Sequence, residues 1–171
     1  AADGEDSLPP GLSEESVDVV ILIFIFSALA PAEWDRALKN IYRVLKPGGK
    51  VLFRDYGRGD LAQVRFKKGK YMGENFYVRG DGTRVYFFEE SELRYMWSEW
   101  APEKGMQIPG ESSKKEEGAE TTAPSNGAFE IENLGIDRRL VVNRQTKLKM
   151  YRCWMQGLFR KREANAKKGE S

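Results

Sequence analysis

Histidine is absent from all 171 residues, and cysteine occurs once, at Cys153. Imidazole catalysis, His-containing zinc sites, intrachain disulfides and cysteine-built metal sites are therefore excluded within this chain. No metal site is expected. What remains for chemistry is carboxylates, aromatic rings and cations. Asp55 stands between Arg54 and Tyr56, with no other acid nearer than Asp60. A carboxylate in such a position acts electrostatically, or it is simply a loop acid paired with Arg54 or Arg58. Tyr56, Phe76 and Tyr77 offer faces on which an unstacked base can lie, and they suit core packing as well. Asn75, beside them, reads a base edge or caps a turn.

The cations are concentrated. The formal net charge is only +2, yet residues 50–84 carry nine Lys/Arg against four Asp/Glu. Residues 138–162 carry nine Lys/Arg and no acid, whereas residues 1–18 carry six acids and no base. Two basic segments on a nearly neutral chain point to a polyanionic partner. Arg65, Lys67, Lys68, Lys70, Arg79 and Arg84 are candidates to hold phosphates. So are Arg138, Arg139, Arg144, Lys147 and Lys149. About half of them are expected to be only solvated.

These residues need elements to position them. Val17 to Phe26 is continuously apolar and β-branched, which predicts a strand buried on both faces. Pro31-Ala32-Glu33 opens a helix whose apolar residues recur from Trp34 to Leu45, and Lys46-Pro47-Gly48-Gly49 ends it. Lys50 to Tyr56 reads as a second buried strand. Strand, helix and strand make a right-handed βαβ unit with parallel strands. Ligands in such folds bind beyond the carboxyl ends of the strands. Those ends are Phe26-Ser27-Ala28 and Arg54-Asp55-Tyr56-Gly57, and the active site is expected between them.

Residues 57–84 are too polar and glycine-rich for a long element. Val85 to Phe88 is a short extended piece, and Glu89 to Trp100 is helical. Residues 102–128 read as a disordered insertion. Phe129 to Val142 and Lys149 to Phe159 are extended, joined by a hairpin connection at 143–148. Residues 1–16 form an irregular lead-in, and residues 160–171 a loose tail. Trp34, Trp97, Trp100 and Trp154 lie on periodic faces and are expected in the core. The apolar run from Val19 to Ala30 is too short to span a bilayer, and the acids before it do not fit a signal peptide. The single cysteine fits a reducing, cytoplasmic setting. The chain begins with Ala rather than Met, as a processed or partial sequence would.

Several blocks resemble the tRNA N3-methylcytidine methyltransferases. They are Phe53-Arg54-Asp55-Tyr56-Gly57 and the long stretch Gly73 to Phe88. Leu22 to Leu29 and Val44 to Gly49 follow the same pattern, as do Asp137 to Arg144 and Met150 to Gly157. Together they cover about two thirds of the chain in the family's order. Asp137 to Arg144 is most similar to the threonine-tRNA branch.

The resemblance implies an α/β, Rossmann-like class I methyltransferase fold. It implies S-adenosylmethionine as cofactor and cytidine 32 of the tRNA anticodon loop as acceptor, with room for a helper protein. The chain would be the C-terminal portion of that domain, with a terminal β-hairpin. No glycine-rich cofactor loop follows a strand in residues 1–20, so the first strands are expected to be missing and the chain alone to be inactive. Cytosine N3 carries its own in-plane lone pair and needs no strong base, so positioning carries much of the rate. Asp55 would balance the cationic product ring, with Tyr56 as the other catalytic candidate. Asp55→Asn is expected to slow transfer without changing stability. Ile23, Phe26 and Ser27 would face the cofactor. Arg54, Asn75, Phe76, Tyr77, Arg79, Arg84, Lys67, Lys68, Arg138, Arg139 and Arg144 would bind RNA. Two other readings remain: a nicotinamide-dependent oxidoreductase with the same βαβ unit, and a non-catalytic RNA-binding subunit.

Overall fold

The structure, a computed structural model, describes residues 8–106 and 127–163 except 143, 146 and 148. A four-stranded sheet forms its frame. Strand β1 (Val17–Ile23) lies parallel to β2 (Leu45–Tyr56), and β2 lies antiparallel to β7 (Lys149–Lys161). β7 pairs in turn with β6 (Phe129–Val142), giving the order β1-β2-β7-β6. Helix α1 (Trp34–Val44) makes the crossover from β1 to β2 after a 3₁₀ turn at Pro31–Glu33. The expected βαβ unit is thus present. β2 begins earlier than its apolar pattern, because Lys46-Pro47-Gly48-Gly49 is built into its start. Gly48 has φ +75°, and a Cβ on Gly49 would lie 2.8 Å from the Lys46 carbonyl oxygen. Neither position suits a larger residue.

Between β2 and the second helix lie α2 (Leu61–Val64) and a small sheet of β3 (Tyr71–Gly73), β4 (Phe76–Val78) and β5 (Arg84–Tyr86). α3 (Glu90–Glu99) follows, and its Glu92 carboxylate reaches back to the Glu89 N–H at 2.8 Å. α1 and α3 pack on one face of the main sheet. There Trp97 of α3 stacks on Phe159 of β7, with centroids 4.1 Å apart and planes 9° apart. Phe26, Phe53 and Phe129 meet Trp97 around this stack. Asp35 joins the two helices by accepting from Trp100 Nε1 at 2.8 Å and Met106 N at 2.7 Å.

Three expectations change. β1 is not buried on both faces: Ile21 is 60% and Ile23 53% exposed. Helices α1 and α3 lie on the opposite face, and β1 is the edge of the described sheet. The tail is not loose from residue 160, because β7 runs through Lys161. Lys161 is buried, and its ammonium donates to the carbonyls of Tyr42 and Leu45 at 3.0 and 2.7 Å. Trp154 is not in the core. It is half-buried on the open face, with Arg54 at 4.6 Å and Arg152 at 5.3 Å from its ring centre. Most of the expected insertion, residues 107–126, lies outside the described residues, as do residues 1–7 and 164–171. Among the described residues no helix is long and apolar enough to cross a membrane.

Candidate active site at the strand tips

The carboxyl ends of β1 and β2 are tied together by Asp55. The Phe24 N–H first bonds the Arg54 carbonyl at 2.8 Å, extending the parallel ladder by one residue. Phe24 then adopts φ 55°, which turns the chain into a 3₁₀ turn at Phe26–Ala28. Asp55 is fully buried beneath that turn, where it accepts from Ser27 N at 2.9 Å and Tyr56 N at 2.9 Å. Burial pushes its carboxyl above the ordinary carboxylate range, and the bonds from Ser27, Tyr56 and Phe26 partly offset that rise. The expected partners are taken elsewhere: Arg54 pairs with Asp137 at 3.1 Å, and Arg58 with Glu89 and Glu92. Asp55 is therefore neither a surface acid nor half of an arginine pair. It reaches its surroundings through the Ser27 and Tyr56 amides and through its charge.

Tyr56 faces the open side of the sheet. Its ring lies 4.6 Å from Phe24 and 5.8 Å from Phe87, and the Arg79 and Arg152 guanidinium carbons lie 5.1 and 5.8 Å from its centre. With Trp154 between Arg152 and Arg54, cations and rings alternate from Arg79 to Arg54. Next to them Gly57 leaves no room for a side chain, since a Cβ there would come 2.9 Å from Cys153 Sγ.

The other candidates divide by environment. Ile23 is exposed at the end of β1, as a cofactor contact would be. Phe26 is sealed in the core, and its carbonyl is taken by Trp34 Nε1 at 3.1 Å, so its side chain cannot line a cofactor pocket in this arrangement. Ser27 is buried, with its N–H on Asp55. Phe76 is core. Tyr77 is half-buried and stacks on Phe66 at 4.7 Å. Asn75 has φ 55° at the β3–β4 turn, and its amide lies between Gln63 and Arg58. Turned with Oδ1 toward Arg58, it accepts from Nη2 at 2.7 Å and Nε at 3.1 Å. That bracing matches the turn-capping alternative. Arg84 is also engaged, with Ala28 O at 2.9 Å and Glu33 at 2.9 Å. Lys67, Lys68, Arg138, Arg139 and Arg144 are exposed, and Arg139 bonds Asp137 at 3.0 Å.

Sequence reasoning passed over Asp60. It is fully buried and binds Arg152 Nε and Cys153 N, each at 2.9 Å. Its only local signal is the Gly59-Asp60 turn ahead of Leu61, a helix-capping pattern.

A family model described as "Methyltransferase domain" matches residues 1–53. A Saccharomyces cerevisiae tRNA(Thr) (cytosine(32)-N(3))-methyltransferase is 48% identical over 159 residues, which is 92% of this chain and 21% of that protein. The tRNA N(3)-methylcytidine methyltransferase trm140 of Schizosaccharomyces pombe is 45% identical over 88% of this chain and 40% of its own length. The Drosophila melanogaster tRNA N(3)-methylcytidine methyltransferase Mettl2 is 49% identical over 86% of this chain and 37% of its own. The chain thus spans about a fifth to two fifths of these relatives' length. A solved SAM-dependent methyltransferase from Methanosarcina mazei overlays 92% of this chain and 64% of its own, with TM-score 0.53 and 17% identity. Its likeness concerns the fold. Over the part it spans, the chain is similar in sequence to tRNA N3-cytidine methyltransferases, and its sheet shares its fold with a solved methyltransferase.

Proposed function

We propose that this chain is part of an enzyme that methylates N3 of cytidine 32 in a tRNA anticodon loop, with S-adenosylmethionine as donor. The observation that carries the reading is the 48% identity, over 92% of the chain, to a protein named for that reaction on tRNA(Thr). The cofactor would supply an electrophilic methyl group. The described residues fit one wall of its site: Ile23 and Ile25 are exposed apolar side chains beside the β1 tip. Tyr56 offers the face on which the cytosine lies, with its N3 lone pair aimed along the transfer line. Asp55 acts from below. It holds the Phe26–Ala28 turn against β2, and its charge in a buried setting favours the cationic product ring. The strand-tip cations then keep the RNA strand in register.

The test is position-specific. tRNA from cells lacking the protein is analysed for N3-methylcytidine at position 32. Loss of the mark there, and its return with the gene, is the expected result. An unchanged mark overturns the reading. Calorimetry with S-adenosylmethionine and with NAD separates it from an oxidoreductase, and binding of neither supports a purely RNA-binding role.

A further inference from the structure

Asp60 is fully buried, yet nothing in the methyl-transfer reading uses it. It caps α2, with Oδ1 accepting from Ala62 N at 2.8 Å. The carboxylate also takes Cys153 N at 2.9 Å and Arg152 Nε at 2.9 Å. A buried carboxylate is costly unless it is paired and fully bonded, and Arg152 completes the set. The pairing also fixes Arg152. Its Nε is occupied by Asp60, while Nη1 and Nη2 make no bond among the described residues. The guanidinium lies between the Tyr56 and Trp154 rings, 5.8 and 5.3 Å from their centres.

The same arginine lines a cleft of about 370 Å³ with Arg58, Arg138, Arg139 and Tyr151. Among the described residues no acid lines this cleft. Arg58 is tied to Glu89 and Glu92, and Arg139 to Asp137. Arg138 and the terminal nitrogens of Arg152 are what the cleft has left for an incoming anion.

We propose that this cleft binds a phosphodiester of the RNA strand through Arg152, and that Asp60 is the positioning residue that presents the guanidinium fork. The inference rests on the RNA-substrate reading above. A planar fork matches two phosphate oxygens at once, which an ammonium cannot do. Because Nε is already held and the fork is flanked by two rings, little side-chain freedom is left to lose on binding. The phosphate would sit beside Tyr56, so it would fix the backbone next to the base that Tyr56 receives.

A plain charge patch and a positioning residue make opposite predictions for Asp60→Asn. Removing an acid raises the net charge by one and should tighten RNA binding if charge alone matters. Loss of positioning should weaken it. The measurement is fluorescence anisotropy of a labelled anticodon stem-loop RNA titrated with the full chain at several salt concentrations. We expect Asp60→Asn to bind about fivefold more weakly, the size of one ordinary net hydrogen bond. Its salt slope should fall by about 0.7–0.9, as when one phosphate goes unneutralised. Arg152→Lys, which keeps the charge and can still reach Asp60, should weaken binding too. Asp60→Asn binding as tightly as wild type or tighter overturns the proposal, as does Arg152→Lys at wild-type affinity. If Asp60→Asn fails to fold, the Arg152→Lys result decides. A wild-type chain that binds no RNA sinks the RNA reading and this inference together. Wild-type binding with both variants unchanged sinks the inference alone.

Discussion

Asp55 shows how burial changes the consequence of a single substitution. Its carboxylate accepts two backbone N–H groups, so Asp55→Asn turns an acceptor into an amide whose NH₂ can face those donors. The variant should lose about 1–3 kcal/mol of stability, contrary to the expectation for a surface acid. The pH dependence follows from its raised carboxyl. The folded protein holds this proton more tightly than the unfolded chain. Stability from this group is therefore full below the ordinary value of 3.8 and declines as pH rises through the folded value. On the proposed role of Asp55, methyl transfer uses the charged form, so its rate should climb over the same window. In single-turnover kinetics of a full-length enzyme, Asp55→Asn should flatten that limb and lower the neutral-pH rate by roughly a hundredfold. A variant that folds and transfers at the wild-type rate would show that the Asp55 charge is not used.

At the scale of elements, β7 matters more than its place near the end of the chain suggests. It lies between β2 and β6, and Phe159 stacks on Trp97 beneath α3. Its last residue, Lys161, also reaches the C-terminal end of α1. There the ammonium serves the Tyr42 and Leu45 carbonyls, lies 4.2 Å from the Tyr42 ring centre and pairs with Glu15 at 3.1 Å. A cation at this end also suits the helix dipole. Lys161→Met keeps the apolar stem but leaves those carbonyls without their donor. It should lower stability by about 2–3 kcal/mol in urea denaturation, with the slope of the transition unchanged. A shift of less than about 0.5 kcal/mol would mean that the carbonyls find other partners.

At the scale of the whole molecule, among the described residues one face of the main sheet carries α1 and α3 and the other is open. The open face divides along the strands. Val19, Ile21, Ile23 and Leu52 make an exposed apolar region, while Arg54, Tyr56, Arg152 and Trp154 gather with Asp137 toward the strand tips. The β6–β7 hairpin brings Arg138 and Arg139 to the same cleft as Arg58, although these segments are far apart in sequence. Reversing Arg138, Arg139 and Arg144 to Glu should weaken tRNA binding and flatten its salt dependence. The slope falls by about 0.7–0.9 for every phosphate that these side chains no longer neutralise. Arg139 is already paired with Asp137, so its reversal should contribute least. An unchanged slope in filter binding across a salt series would make these three arginines a solvated surface.

The chain's local patterns determined much by themselves. Apolar runs and stop signals marked β1, α1 and β2, and the parallel pairing followed from the crossover. The extended stretches 129–142 and 149–159 were legible as strands because alternation and β-branching act over neighbouring residues. Composition excluded histidine chemistry, and the spacing of the cations exposed two basic segments. Only the tertiary structure decided which side chains are withdrawn from solvent and which meet. Asp55 and Asp60 look alike in sequence, each an acid within two positions of an arginine. The fold buries both, giving one to backbone amides and the other to an arginine 92 positions away. Phe26 and Ile23 belong to one apolar run, but the turn at Phe24 sends Phe26 into the core and leaves Ile23 exposed. Pairings of this kind depend on strand register and on which face the helices cover, and a one-residue slip of a strand would turn its side chains to the other face.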